Sequence, residues 1–201
     1  MALAPDSRVD REQDLTVDDY MALDDDRRFE LIRGNLMMVP SPSLHHQRTV
    51  TELGGYIRSH VRDRTLGECL HAPLDLVLAD DTVLQPDFLY VADGRLDELY
   101  DGHGLTGAPD LVIEVLSPST EQRDRHEKRQ LYAETGVPWL LLVEPKARVV
   151  EVLRLGEDEK YIVDTTAAED DTLEFGLFPE LELDLSEVWF DAPDSEGASE
   201  G

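Results

Sequence analysis

The chain has 201 residues, of which 41% are apolar, and this is enough for one domain with a sizeable buried core. No apolar run approaches the roughly 18 residues that a membrane-spanning helix needs. Residues 1–14 have neither the basic start nor the apolar centre of a signal peptide. Cys69 is the single cysteine, which excludes an internal disulfide. These features predict a cytoplasmic protein that has no membrane partner.

The net charge of −27 and the sequence pI of about 4.3 predict long-range repulsion of nucleic acid. The acids are unevenly spread, because residues 157–201 hold 16 acids and one base, Lys160. Arginine outnumbers lysine by 15 to three. Dense acid with little lysine suggests adaptation to high salt, which screens such repulsion because the Debye length falls to about 3 Å at 1 M. We therefore expect the protein to be more stable and soluble in molar salt than without it.

The first predicted elements are a short helix and a hairpin. Residues 1–15 are polar and are predicted to be disordered. Residues 16–23 read as a helix that begins at a Thr N-cap with acids in its first turn. In residues 28–39, the pair Gly34-Asn35 lies between two apolar runs, which indicates a hairpin turn.

A long helix and three extended segments follow. In residues 44–64 apolar side chains recur at steps of three and four, which predicts an amphipathic helix. The extended segments are residues 68–79, 83–92 and 111–116. The last is apolar at every position except one acid, which is typical of a strand buried on both faces.

A second helix and further strands complete the predicted domain, residues 16–190. Ser119 or Thr120 caps a helix that runs to about residue 135, where Gly136 takes the C′ position. Because this helix links two strands, we predict an α/β or α+β core with a mixed sheet flanked by helices. The remaining elements are a buried strand at 139–143, a hairpin at 149–165 and an acidic, disordered tail at 191–201.

Two acids interrupt strands that otherwise read as core. Glu114 lies within Leu-Val-Ile-Glu-Val-Leu, and Asp87 lies between Leu84 and an apolar run. An unpaired buried carboxylate is costly, so natural chains neutralise it, pair it or place it on a metal. Two acids on neighbouring strands that face the same way would form a site of hard oxygens, which Mg²⁺ favours. The alternative is that each acid pairs with an arginine such as Arg123 or Arg129.

Lys128 lies on the helix that follows the Glu114 strand. Near two metal-bound carboxylates, a lysine could orient an attacking water and stabilise the charge that develops on a phosphate. The alternative is a solvated lysine on an exposed helix face, paired with Asp124 four residues earlier.

Other candidates carry a weaker signal. Glu30 is an acid inside a strand-like run, and His46 and Gln47 open the long helix, so each could face the same site. The alternative for His46 is a capping or surface histidine. The remaining histidines lack the spacing of metal ligands, and no phosphate-binding glycine loop is present. A Ser-His-Asp triad has no nucleophile elbow to support it.

Several motifs of the chain form a recognisable set: Gln85-Pro86-Asp87, the stretch APDLVIEVLSPST from Ala108 to Thr120, and the spacing from Arg123 to Lys128 and Gly136. The segments FELIRG from Phe29, SPSLHHQ from Ser41 and LELDL from Leu181 belong to the same set. In these motifs the chain resembles the Uma2 family, whose members are labelled restriction endonucleases. The resemblance covers roughly residues 16 to 190.

The resemblance implies a PD-(D/E)xK nuclease fold: a restriction-endonuclease-like core, here with extra N- and C-terminal β-hairpins. Pro86-Asp87 matches the PD element, and Glu114 matches the acid of the third motif. The lysine of that motif is expected two residues after Glu114, where this chain has Leu116. Lys128 is then the matching lysine, moved to the next helix. This shift is physically reasonable, because only the position of the ammonium group in space matters.

The sequence and the resemblance together predict a Mg²⁺- or Mn²⁺-dependent endonuclease, with DNA as the expected partner. Asp87, Glu114 and the Val115 carbonyl would hold the metal, and Lys128 would assist the water. Many nucleases of this fold cut as dimers, so a homodimer is expected. One alternative is a catalytically silent nuclease fold that serves as a binding or regulatory module, and another is a non-nuclease hydrolase with a narrow pocket. Residues assigned supporting roles are Glu30, His46, Gln85 and Asp124.

Overall fold

The computed structural model describes residues 14–25, 27–117 and 121–190. The disorder predicted for residues 1–13 and 191–201 therefore lies outside the described residues, as does the predicted helix cap at residue 119 or 120. The described part begins two residues before the predicted domain start. Leu15 is already held there, because its backbone N–H donates to the Gly34 carbonyl at 3.0 Å.

The described chain contains five α-helical segments and thirteen strands, and none of its helices has the length and apolar character needed to cross a membrane. The helical segments are α1 (Val17–Met21), α2 (Leu44–Arg64), α3 (Leu96–Leu99), α4 (Glu121–Arg123) and α5 (Arg129–Glu134), with a π-helical turn (Asp124–Lys128) between the last two and a 3₁₀ turn at Leu185–Glu187. The strands are β1 (Phe29–Ile32), β2 (Asn35–Met38), β3 (Gly67–His71), β4 (Leu76–Ala79), β5 (Thr82–Leu84), β6 (Phe88–Ala92), β7 (Leu105–Thr106), β8 (Leu111–Val115), β9 (Trp139–Glu144), β10 (Val149–Leu155), β11 (Tyr161–Ala168), β12 (Thr172–Leu173) and β13 (Leu183–Asp184).

The strands form a main sheet, a smaller sheet and a short ribbon. The main sheet has the order β11-β10-β9-β8-β6-β3, and the smaller one β2-β1-β5-β4-β7. Within the main sheet β8 and β9 are parallel, whereas the other neighbours are antiparallel. The segment from α4 to α5 links β8 to β9 as a crossover, which a parallel pair requires. The predicted mixed sheet flanked by helices is confirmed.

Both faces of the main sheet are buried. Residues 111, 113 and 115 of β8 face α2 and the C-terminal segment, where Phe175 and Phe178 pack. Residues 112 and 116 face the other way, toward α5 and the smaller sheet. Because side chains alternate along a strand, Glu114 points into this second layer, between the two sheets.

Two predicted segments each divide into two strands. Residues 68–79 become β3 and β4, and residues 83–92 become β5 and β6, so that each segment contributes one strand to each sheet. Apolar patterning identifies the strands but does not say which sheet each one joins. The link Gln85-Pro86-Asp87 is one of the places where the chain passes from the smaller sheet to the main sheet. It therefore places Asp87 at the boundary between them.

The turn of the N-terminal hairpin lies one residue earlier than predicted. Asn35 already pairs with Ile32 in the β1–β2 ladder, so the two-residue loop is Arg33-Gly34. Both loop residues have positive φ, 49° and 74°, as a tight hairpin that matches the strand twist requires. The Asn35 side chain donates to the Arg33 carbonyl at 3.0 Å and braces the turn.

Helix α2 has the predicted bounds and lies close against β6. Ser43 caps it by accepting the His46 backbone N–H at 3.2 Å, and Leu53, Ile57 and Val61 form its buried stripe. Gly54 permits the close approach, because a Cβ there would lie 2.9 Å from Phe88 Cδ2. Asp87 precedes Phe88, and the start of α2 lies beside it, where His46 Nε2 is 3.2 Å from Asp87 Oδ2.

Gly54→Ala is expected to lower the free energy of unfolding by about 1–2 kcal/mol, because the Phe88 ring is 1% exposed and has no room to move. The neighbouring Gly55→Ala is the matched control. Nothing lies within 4 Å of its added Cβ, so the better helix propensity of alanine should raise stability by about 0.5–1 kcal/mol. Urea denaturation of both variants measures the difference. Equal stabilities would contradict the close approach at Gly54.

Candidate active site

A cleft of 770 Å³ lies between the two sheets and the start of α2. It collects the side chains that the sequence singled out from five separate parts of the chain. The residues of the predicted site that line it are Glu30, His46, Gln85, Asp87, Glu114, Val115, Asp124 and Lys128.

Asp87 lies immediately before β6, and Glu114 lies on the neighbouring strand β8. The β6–β8 ladder ends with the pair Phe88–Ile113, so Asp87 and Glu114 are the next residues beyond that pair, and both line the cleft. Asp87 Oδ2 accepts the Val115 backbone N–H at 2.8 Å and lies 3.2 Å from His46 Nε2. Among the described residues, neither acid pairs with an arginine.

His46 faces the site instead of the surface. Its backbone N–H completes the Ser43 cap, while its ring reaches Asp87 and is 12% exposed. Its Nδ1 is buried without a hydrogen-bond partner among the described residues. The imidazole therefore orients the Asp87 carboxylate through Nε2.

Lys128 lies at the centre of a buried cluster of acids. Its Nζ is 2.8 Å from Glu30 Oε1, 3.0 Å from Glu114 Oε1 and 3.5 Å from Asp124 Oδ1. The exposed lysine considered as an alternative is therefore wrong, because Lys128 is 4% exposed. The pairing with Asp124 is present, but both partners are buried.

A π-helical turn aims this cluster inward. The predicted continuous helix is interrupted by the wider turn Asp124–Lys128, whose first and last residues are both buried. Such turns are rare and occur frequently at functional sites, because the extra residue redirects the side chains that follow. Lys128 and Tyr132, one turn further, consequently share the face that points at Glu114.

Burial and the neighbouring charges shift the pKa values of these groups. Burial raises the pKa of Glu114 to about 8, and Lys128 counteracts that shift, while Asp124, Asp87 and Glu30 add to it. Burial lowers the pKa of Lys128, but Glu114, Glu30 and Asp124 together raise it well above its ordinary value. The lysine is therefore a fixed ammonium ion, and Glu114 readily takes up a proton when no cation faces its free oxygen.

The sequence analysis did not assign two residues of this cluster to the site. The Tyr132 hydroxyl donates to Glu114 Oε1 at 2.6 Å and is fully buried. Arg123 Nη2 lies 3.5 Å from Glu30 Oε2. A usable signal was present, because Asp124, Lys128 and Tyr132 follow one another at intervals of four and so lie along one helix face.

Gln85 connects the site to the smaller sheet. Its backbone N–H donates to Glu30 Oε1 at 3.0 Å. Its side-chain carbonyl accepts from Arg28 Nε at 3.0 Å, and its amide nitrogen donates to Asp75 Oδ1 at 2.8 Å. Tyr20 also donates to Asp75 Oδ1, at 2.9 Å. Gln85 therefore holds Glu30 and Arg28 in place at the cleft wall.

The donor set at Asp87 and Glu114 fits a hard divalent cation. Val115 N–H and His46 occupy Asp87 Oδ2, and Lys128 and Tyr132 occupy Glu114 Oε1. The second oxygens, Asp87 Oδ1 and Glu114 Oε2, accept no hydrogen bond from the described residues. Residues 14–25, 27–117 and 121–190 contain no group of three or more acidic, His or Cys side chains placed to hold a metal. Two carboxylates leave most coordination positions to a backbone carbonyl, water and phosphate, as Mg²⁺ favours.

Comparison with known proteins identifies the family. The model of Uma2, described as a putative restriction endonuclease, matches residues 17–186. No curated protein matches the chain. Among solved structures, a putative nuclease belonging to DUF820 from Anabaena variabilis ATCC 29413 is 21% identical, with a TM-score of 0.69 over 87% of this chain and 97% of that chain. At 21% identity, this similarity shows that the two proteins share a fold. Because the family model spans most of the sequence, the chain belongs to the Uma2 family.

Proposed function

We propose that this protein is a metal-dependent nuclease that hydrolyses phosphodiester bonds in DNA, with Mg²⁺ or Mn²⁺ held by Asp87 and Glu114. The observation that carries the proposal is that both carboxylates line one cleft, with Asp87 bound to the Val115 N–H of β8 and Lys128 Nζ 3.0 Å from Glu114. The family description and the fold of the similar structure support the same class of reaction.

Each side chain has a role that follows from its contacts. Asp87 Oδ1, Glu114 Oε2 and the Val115 carbonyl would hold the metal, which would neutralise phosphate oxygens and lower the pKa of a bound water. Val115 N–H and His46 fix the Asp87 carboxylate. Lys128 favours the ionised form of Glu114 and brings a positive charge to the cleft wall, where negative charge would develop on the phosphate. Glu30 and Asp124 hold the ammonium group in place.

Calorimetric titration of Mg²⁺ and Mn²⁺ tests the metal site. The wild type is expected to bind, and Asp87→Ala/Glu114→Ala is expected not to bind. Asp97→Ala/Glu98→Ala is the matched control, because it removes two exposed acids of α3 far from the cleft lining. Molar KCl suppresses non-specific binding of cations to the acidic surface. If the wild type binds neither metal, the titration is repeated with a DNA oligonucleotide to supply phosphate ligands, and a second failure contradicts the metal site.

A catalytically silent binding module is the second candidate. It is favoured by the enclosure of Lys128 among three carboxylates, which by itself is also a stable structural arrangement. Incubation of plasmid DNA and labelled oligonucleotides with Mn²⁺ separates the two candidates. Cleavage that disappears in the Asp87→Ala/Glu114→Ala variant supports the nuclease, whereas DNA binding without cleavage supports the silent module.

A further inference from the structure

Most arginines of this acidic protein have a carboxylate partner. Among the described residues, only three arginines lack a carboxylate oxygen within 4 Å: Arg28, Arg58 and Arg129. Two of these three, Arg28 and Arg58, line the cleft. In a chain with 45 acids and 18 basic residues, an arginine without a carboxylate partner is the exception. Two of them at one cleft point to an anion that comes from outside.

The cleft also differs from the rest of the protein in charge. Its lining contains four acids, Glu30, Asp87, Glu114 and Asp124, and four bases, Arg28, Arg58, Arg123 and Lys128. The side chains of the lining therefore sum to zero, although the whole chain carries −27. The general repulsion of nucleic acid is thus weakest at the cleft.

The Arg28 guanidinium is anchored at Nε and open at its two terminal nitrogens. Its Nε donates to Gln85 Oε1 at 3.0 Å, and Asp75 fixes the other end of that amide at 2.8 Å. The two terminal nitrogens of Arg28 have no partner among the described residues. A guanidinium that is anchored at Nε and open at both terminal nitrogens is arranged for bidentate contact with a phosphate. Because Gln85 is two residues before Asp87, this phosphate would lie next to the metal site.

Arg58 lies further along the cleft, on α2. It is exposed, and no described residue pairs with it. It follows His46 by 12 residues, which is about 18 Å along a helix. One strand of B-form DNA carries about five phosphates over that length, at roughly 3.4 Å each. Gly55, one turn before Arg58, also lines the cleft and has open space beside it, so a strand can approach the helix there.

We infer that Arg28 and Arg58 bind backbone phosphates of the nucleic acid, Arg28 beside the phosphate that is cut and Arg58 several nucleotides away. This inference rests on the proposed nuclease function and adds to it the path of the substrate. The strand runs from the Asp87–Glu114 site along α2 toward Arg58. Both contacts are to phosphate, so they position the strand without reading its sequence.

Binding of labelled 12-nucleotide DNA, single-stranded and duplex, tests this path by fluorescence anisotropy between 50 and 500 mM KCl. EDTA is present, so that no cleavage occurs. Arg28→Gln and Arg58→Gln are each expected to weaken binding about three- to tenfold. Each is also expected to flatten the slope of log K against log salt by about 0.7–0.9, the value for one lost phosphate contact.

Two matched controls remove the same charge outside the cleft. Arg27→Gln changes the neighbour of Arg28, which pairs with Asp25, and Arg62→Gln changes an exposed arginine of α2 that pairs with Asp63. Both are expected to leave the slope unchanged. Arg28→Lys, which retains the charge, is expected to restore most of the slope that Arg28→Gln loses. Melting temperatures identify any variant that has lost its fold.

The outcomes separate this inference from the nuclease proposal. Reduced slopes for Arg28→Gln and Arg58→Gln support the phosphate path, whether or not the wild type cuts the probes. If the wild type cuts neither probe with Mn²⁺, only the nuclease proposal is overturned. Metal-dependent cleavage with unchanged slopes would overturn the path and leave the nuclease proposal standing. Equal losses in the control variants, or no binding of either probe by the wild type at 50 mM KCl, would also overturn the path.

Discussion

Lys128→Met is expected to lower the free energy of unfolding by about 3–5 kcal/mol at pH 9, because it leaves buried carboxylates without their cation. In the wild type the ammonium group lies within 3.0 Å of both Glu30 and Glu114, and each of these three side chains is at most 5% exposed. Methionine fills a similar volume, so the loss reports mainly the charge and not a cavity.

The loss is expected to depend on pH. Burial raises the pKa of Glu114 to about 8 even with Lys128 present to lower it, so the folded variant holds a proton there more tightly still. The unfolded carboxyl has a pKa of about 4.3. Proton uptake therefore stabilises the folded state of both proteins at low pH. The wild type loses this stabilisation as the pH rises from about 4.3 through 8, and the variant loses it only at still higher pH, so the two proteins diverge above about pH 8. The difference from the wild type is expected to be small at pH 5 and largest above pH 8.

Urea denaturation at pH 5, 7 and 9 in EDTA measures this effect on metal-free protein. Lys146→Met is the control, because Lys146 is exposed and no described acid pairs with it. Adding Glu30→Gln to Lys128→Met is expected to recover part of the loss, because it removes one of the facing charges. A loss below about 1 kcal/mol at pH 9, or one that does not change with pH, would show that the cluster does not depend on the charge of Lys128.

The sequence was sufficient to identify the acids and Lys128 of this cluster, but not their contacts. Glu114 was identifiable because it interrupts an apolar strand, and the bounds of α2 followed from its apolar period. The burial of Lys128 was not predictable from the same pattern. An ideal α-helix already places Asp124 and Lys128 along one face, but it gives no reason to expect the π-helical turn or the burial of both residues.

The position of Asp87 shows a second limit of sequence patterns. An apolar run identified residues 83–92 as one extended segment around Pro86, but the pattern is the same whether the chain continues in one sheet or moves to another. The partners of β5 and β6 decide this, and they are distant in sequence. The motif resemblance supplied the role of Asp87, and the structure shows why the residue stands where the chain passes between the sheets.

Asp87→Asn is expected to reduce metal-dependent cleavage about a thousandfold while leaving the fold intact. The asparagine carbonyl can still accept the Val115 N–H, which lies 2.8 Å from Asp87 Oδ2, so the free energy of unfolding should change by less than about 1 kcal/mol. The variant lacks one of the two negative charges that would hold the cation, and a lost metal contribution of about 4 kcal/mol corresponds to that change in rate.

Asp110→Asn is the matched control for this loss. Asp110 also accepts a strand N–H, from Ala92 at 2.8 Å, and its side chain is 19% exposed against 17% for Asp87. It pairs with Arg95 and does not line the cleft. Initial rates with labelled DNA and Mn²⁺ are compared for the two variants. Because the two carboxylates are similarly exposed and each accepts a strand N–H, a thousandfold loss confined to Asp87→Asn assigns the effect to the cleft. Equal rates in the two variants would contradict the metal-binding role of Asp87.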